Sequence, residues 1–210
     1  MKNKFFYVSL ATSLIALIIN IIAYPHLPDK VPVHWGLNGE VNRYGSKIEM
    51  LMMGALPLLI IIFRQIIPLI DPKKESYNIH STAYSIITLS IITFLVIINL
   101  IVVFSSLGYN ISLAKVLPVL LGLLFIGMGN YMTQLRPNYF IGIRNPWTLA
   151  SEQVWRKTHR LGGFVIVIIG LVPLSSIIIG ALGMNLFFGA LVLGIAVIFF
   201  YSYLTFKKNL

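Results

Sequence analysis

A chain of 210 residues that is 58% hydrophobic and 10% charged stands far from the soluble norm of about 25% charged residues, and its mean hydropathy of +0.88 excludes a water-soluble globular domain. Cysteine is absent, which excludes a disulfide framework, a thiolate metal site and a cysteine nucleophile. The net charge of +10 would suggest nucleic acid in a soluble protein, but the cations lie mainly between apolar runs, where they set topology, so no direct nucleic-acid partner is expected.

Lys2 and Lys4 precede an apolar stretch too long for a signal-peptide core, with no clean small-x-small site before Pro25. It reads as an uncleaved signal anchor and first span, residues 5–24. Further apolar runs predict spans at 48–70, 82–106, 115–134, 162–182 and 185–205, since about 20 residues of helix cross the hydrocarbon core. Six crossings return the C-terminus to the starting side. With the N-terminus in the cytoplasm, Lys2, Lys4, Arg64, Lys73, Lys74, Arg136, Arg144, Arg156, Lys157, Arg160, Lys207 and Lys208 lie inside, and Lys30, Arg43, Lys47 and Lys115 outside. That bias favours both termini in the cytoplasm.

Between the first two spans, residues 25–47 form an extracellular segment whose Asn38-Gly39 pair suits a type I′ hairpin turn. Val31, Val33 and Trp35 alternate with Pro32 and His34, so an apolar face turns toward the membrane or neighbouring loops. His34, Glu40 and Arg43 then face water. An ordered lid with an interfacial Trp35 and Tyr44 belt and a contact site for an extracellular ligand are both compatible with this pattern.

Inside the second span, Pro57 and Pro68 interrupt the run, and Arg64 lies near its cytoplasmic end, where snorkelling to the headgroups would accommodate it. Asn20, Asn99 and Asn130 suit interhelical hydrogen bonds. None of the in-span polar residues is a mid-membrane carboxylate, which disfavours proton-coupled transport.

The connection at 135–161, LRPNYFIGIRNPWTLASEQVWRKTHRL, is longer than a helix–helix connection requires and too aromatic for a disordered tail. Asn145 followed by Pro146 predicts a helix start, and the helix then runs to about Leu161. Trp147, Ala150, Val154 and Leu161 share one face, with Glu152, Arg156 and Arg160 on another. This describes an interfacial amphipathic helix leading into span five. Arg136 and Arg144 flank RPNYFIGIR, where they can converge on one carboxylate or lipid phosphate, or serve topology and headgroup contact alone. Toward the C-terminus, Ser176 with Gly180 and Ala190 with Gly194 are small-xxx-small pairs that suit close packing of the last two helices, and Pro57 and Pro173 should each kink its helix or be re-satisfied by neighbours.

No nucleotide, zinc-protease or serine-hydrolase motif is present, so no enzyme, catalytic residue, metal or cofactor is expected. The fold class is an all-α integral membrane protein with six transmembrane helices, a short extracellular β-hairpin and a cytoplasmic interfacial amphipathic helix.

The stretch GNYMTQLRPNYFIGIRNPWTLASEQVWRKTHRLGG, residues 129–163, resembles the signature region of the SdpI family, bacterial membrane proteins named for immunity to a sporulation-delaying peptide toxin. The segment LPDKVPVHWGLNGEVNRYGSK resembles the small domain of unknown function that often precedes it. Asn145 stands where many members carry Thr, and both cap a helix. The resemblance implies a two-helix module at 1–80 with extracellular loop 25–47, and a four-helix SdpI-like module at 81–210 with cytoplasmic signature loop 133–161. It also implies a multi-pass protein of the bacterial cell membrane that gives resistance to a secreted antimicrobial peptide. Signalling by sequestering a small winged-helix repressor inside is implied by the family's named member. Carried onto this chain, His34, Trp35, Asn38, Glu40 and Arg43 would face the toxin. Arg136, Asn138, Arg144, Trp147, Glu152, Trp155 and Arg160 would present the cytoplasmic surface. Two readings compete: a permease or transporter subunit for a small amphipathic substrate, with a polar pathway through Asn20, Asn99 and Asn130, and a structural protein that organises partners.

Overall fold

A computed structural model describes residues 4–36 and 40–208. Helix α1 (Lys4–Ala23) ends in a 3-10 turn at Tyr24–His26, and strands β1 (Lys30–Trp35) and β2 (Val41–Ser46) follow. Next come α2 (Ile48–Ile70), the short α3 (Ser76–Ile79), α4 (Ser81–Ser106) and α5 (Leu113–Met132). The chain closes with α6 (Pro146–Ala150), α7 (Glu152–Leu171), a 3-10 turn at Val172–Ser175, α8 (Ser176–Ile179) and α9 (Ala181–Lys207). Among the described residues, six helical stretches are long and apolar enough to cross a membrane. The six predicted spans and the all-α membrane class are thereby borne out, and the chain is a multi-pass membrane protein.

Helix α4, with its run SIITLSIITFLVIINLIVVF, is dense in β-branched residues that favour strands in water. It is helical because lipid offers no partners to the backbone, so each N–H must find a carbonyl within its own segment. Hydroxyls in the spans do the same: Ser9, Ser13, Thr88 and Ser90 each donate to the carbonyl four residues back. Ile15, Ile22, Leu69, Ile178 and Val192 stay exposed on the outer faces, as lipid contact allows.

The helices run up and down, so the hairpin lies at one end of the bundle and the signature segment at the other. Helix α1 packs on α2 and α4, α4 on α5, and α7 between α5 and α9. Asn20 of α1 donates to the Asn99 Oδ1 of α4 at 2.6 Å, and Asn99 donates back at 3.3 Å, as an interhelical amide pair should. Asn130 differs from expectation, since it lies on an exposed face of α5.

Arg64 also departs from its predicted place. It is 6% exposed and turns inward, donating to Ser85 Oγ at 2.8 Å. Its guanidinium lies over the rings of Tyr84 and Phe6, so cation–π contact replaces the headgroup contact that snorkelling would give.

The predicted helix from Asn145 to Leu161 is two helices. Ser151 is extended, with φ −141° and ψ 124°, and its side chain caps α7 by accepting from the Val154 N–H. Helix α7 therefore enters the bundle from Glu152 onward, ten residues before the predicted span, and the interfacial helix shrinks to α6. Pro173 coincides with a tightening to 3-10 geometry rather than a kink in continuous helix. Pro57 lies within an unbroken α2.

Small residues set close helix approaches, and of the predicted Ser176–Gly180 pair only Ser176 takes part, with its backbone N 2.5 Å from a Cβ built on Gly183 of α9. Gly180 is a turn residue with φ 58°. Gly122 and Gly129 of α5 also meet Gly170 and Gly163 of α7. A Cβ built on Gly129 would lie 2.7 Å from the Gly163 carbonyl oxygen, and one on Gly170 would lie 2.9 Å from that of Gly122. Gly194 does pack closely, against Ile169 and Val165 of α7.

Candidate functional site

At the hairpin end, the strands pair antiparallel with Lys30 opposite Ser46 and Trp35 opposite Val41, and the register slips around His34. Pro32, which has no N–H to give, stands beside that irregularity. Val31 is fully buried with Leu27, Met50, Val102 and Val103, and Val33 and Trp35 pack on the same cluster. His34, Glu40 and Arg43 are exposed, as the alternation predicts. Asn38 and the Asn38-Gly39 turn lie outside the described residues. The hairpin is tied down by charge: Lys47 pairs with Asp29 at 3.1 Å, and Arg43 approaches Glu49 at 3.8 Å. Glu49 also accepts from the Ser46 N–H. His34 Nδ1 lies 2.5 Å from Asn42 Oδ1. Between this pair, Trp35 and the ends of α5 and α9 lies a crevice of about 400 Å³, walled by Leu117, Pro118, Met184 and Phe188.

The opposite end is built around Asn138. Its Oδ1 accepts from the N–H groups of Phe140 and Ile141, at 2.9 and 2.7 Å. Its Nδ2 donates to the carbonyls of Arg136 and Ile141. An asparagine side chain replaces a backbone turn in this way. The fold around it is anchored from the α2–α4 connection. Asp71 Oδ2 accepts from the Tyr139 N–H at 3.0 Å and from the Tyr77 hydroxyl at 2.7 Å, and that hydroxyl also faces Asn138 Oδ1. Burial, and then the hydrogen bond to Asp71, push the Tyr77 hydroxyl pKa up. Ser76 donates to the Pro137 carbonyl.

His80 accepts the Arg136 N–H on Nδ1 at 3.1 Å, so in the neutral ring the proton is on Nε2. That nitrogen has no hydrogen-bond partner, and the ring lies edge-on to Tyr77 and Tyr84. Burial, reinforced by the charge of Arg136 and opposed by Asp71, lowers its pKa to about 4.

Helix α7 holds the segment from the other side. Trp155, fully buried, donates from Nε1 to the Leu135 carbonyl at 2.8 Å and stacks on His159 at 4.0 Å. His159 accepts the Ile143 N–H on Nε2, while its Nδ1 faces the Trp155 carbonyl. Gly142, at φ 104°, passes over this ring, where a side chain would collide with Nε2. Asn145 and Thr148 form a reciprocal capping box, and Asn145 Nδ2 donates to Ser202 Oγ of α9 at 2.7 Å.

Of the predicted cytoplasmic residues, Asn138 and Trp155 are thus fully buried. Neither presents a surface, because each satisfies backbone groups that the folded segment removes from water. Arg136, Glu152 and Arg160 are exposed, and Arg144 is exposed but donates to the Tyr139 carbonyl at 2.7 Å. Trp147 is half-buried against Phe199 and Tyr203. Sequence reasoning missed Asp71, Tyr77, His80, Thr148, His159 and Ser202. The Asx-turn chemistry of Asn138 was a local signal. The partnership of Asp71 with Tyr139 had none.

Residues 134–203 match the SdpI/YfhL protein family, and residues 11–61 match a domain of unknown function, DUF1648. The immunity protein SdpI of Bacillus subtilis (strain 168) is 24% identical over 165 residues, covering 79% of this chain and 77% of that protein. No solved structure matches the chain. The resemblance to the SdpI family, and that of the hairpin segment to the small domain preceding it, are borne out by these matches.

Proposed function

We propose that this chain, whose residues 134–203 form an SdpI/YfhL-family segment, is a non-enzymatic membrane immunity protein that protects its cell from a secreted antimicrobial peptide. The carrying observation is the similarity to an immunity protein along 79% of the chain, which extends well beyond the signature segment. The hairpin is the outward face: His34 and Arg43 are exposed there on a platform that Val31 and Trp35 fix to α4. The signature segment is the cytoplasmic face, where Arg136, Glu152 and Arg160 meet a small winged-helix repressor when toxin is present. Helix α4 joins the two, since Val102 and Val103 underlie the hairpin while Ala83 and Ile87 pack against the Trp155 cluster.

The transporter reading gains nothing from its three asparagines. Asn20 and Asn99 bind each other, and Asn130 lies on an exposed face of α5.

The test is survival of a toxin-sensitive bacterial host that expresses the protein. Expression should protect it, and the double variant H34A/R43A should lose protection while still inserting. Unchanged killing by the toxin, with membrane insertion verified, would remove the immunity reading.

A further inference from the structure

At the signature end, α7 and α9 open a crevice of about 700 Å³ lined by Lys157, Arg160, Leu161, Phe164, Tyr201 and Thr205, with Lys208 at its edge. Lys157, Arg160, Leu161 and Phe164 recur at i, i+3, i+4 and i+7, so they lie along one face of α7. At 1.5 Å per residue that face runs about 10 Å along the helix. Helix α9 runs the other way and brings Lys208 beside the start of α7, with Thr205 and then Tyr201 further in. The crevice is therefore cationic at its mouth and apolar at depth, where Phe164 is exposed.

Among the described residues, none that lines the crevice is acidic. The hairpin end differs, because Lys47 and Arg43 there have carboxylate partners in Asp29 and Glu49. Among the described residues, no such pair neutralises Lys157, Arg160 or Lys208. An anion is the complement the mouth lacks, and guanidinium and ammonium groups suit a phosphate. A free phosphate would leave Leu161 and Phe164 unused. A phospholipid places its phosphate at the headgroup level and its acyl chain one to two turns deeper, which is the order of side chains along this crevice. Basic pockets between transmembrane helices bind anionic headgroups on these terms.

We propose that the α7–α9 crevice is a binding site for an anionic phospholipid, with Lys157, Arg160 and Lys208 holding the phosphate and Phe164 lying along an acyl chain. The site does not depend on the immunity reading.

The test uses the full chain purified in a neutral detergent. Phosphatidylglycerol, phosphatidylcholine and glycerol 3-phosphate are titrated separately, with thermal unfolding midpoint and retained lipid by native mass spectrometry as readouts. Phosphatidylglycerol should raise the midpoint and remain bound, whereas the other two should do neither. The variant K157Q/R160Q should weaken the phosphatidylglycerol response at least about tenfold in concentration, and K74Q/R156Q, which removes the same charge elsewhere at this end, should leave it unchanged. Phe164→Asp, on an exposed position, should abolish it by placing a carboxylate in the crevice. Equal responses to phosphatidylglycerol and phosphatidylcholine, equal weakening by the two double variants, or a full response to glycerol 3-phosphate alone would each overturn the proposal.

Discussion

Asn138 and His80 show how few side chains hold the signature segment in shape. Five polar groups around Asn138 are answered by its one buried amide. An unanswered buried polar group typically costs 1–3 kcal/mol. His80 plays a related part with a titratable ring. Its acceptor nitrogen takes the Arg136 N–H, so protonation would remove that acceptor and place a charge in a buried site. The folded-state pKa of about 4 lies below the ordinary 6.5. The stability that the neutral ring supports is therefore complete above about pH 6.5 and is lost as pH falls toward 4. At 1.36 kcal/mol per unit the loss approaches about 3 kcal/mol. Denaturant unfolding in detergent across that window should show the decline, and H80Q should make it shallower. A wild-type profile indistinguishable from that of H80Q would refute the assignment.

Helices α5 and α7 meet through backbone, and this contact carries the signature end. Their glycines recur at seven-residue spacing on each helix, 122 and 129 facing 170 and 163, which lets the two axes approach without intervening side chains. Gly163→Val should push the helices apart and lower stability by about 1–3 kcal/mol, the usual range for overpacking. Gly189→Ala on α9, where nothing lies within 4 Å of the added methyl, should be neutral or mildly stabilising. Thermal unfolding midpoints of the two variants compare them directly, and equal shifts would contradict the close-approach account. The break at Ser151 belongs to the same group of contacts. Capped by its own N-terminal serine, α7 enters the bundle early and brings Trp155 and His159 beneath the segment they hold.

The bundle joins the two modules expected at 1–80 and 81–210 instead of merely adjoining them. Asn20 reaches Asn99, Arg64 reaches Ser85, and Asp71 reaches Tyr139, all across the expected division between residues 80 and 81. Helix α4 carries residues of the core beneath the hairpin and of the core beneath the segment at the other end. The orientation we propose rests on the charge bias, and the absence of cysteine makes it open to direct measurement. A cysteine replacing Glu40 should react with an impermeant maleimide on intact cells, and one replacing Ala150 only after permeabilisation. The reverse labelling pattern would invert the assignment of faces.

The six crossings, the hairpin and the alternation that buries Val31 while exposing His34 were legible in the sequence, because each follows from the pattern of apolar residues against a solvent, lipid or water, that is known in advance. The capping of α6 by Asn145 was legible for the same reason, since its partner Thr148 lies three residues on. The sequence was silent on the inward turn of Arg64, the burial of Trp155, the helix break at Ser151, and the meeting of Asp71, Tyr77 and His80 with a segment some sixty residues away. Those depend on which helix faces which. A basic or aromatic residue near a membrane surface satisfies the same local pattern whether it points to solvent or to a neighbouring helix, and only the neighbour's position, fixed by glycine contacts and buried amide pairs, determines which way it turns.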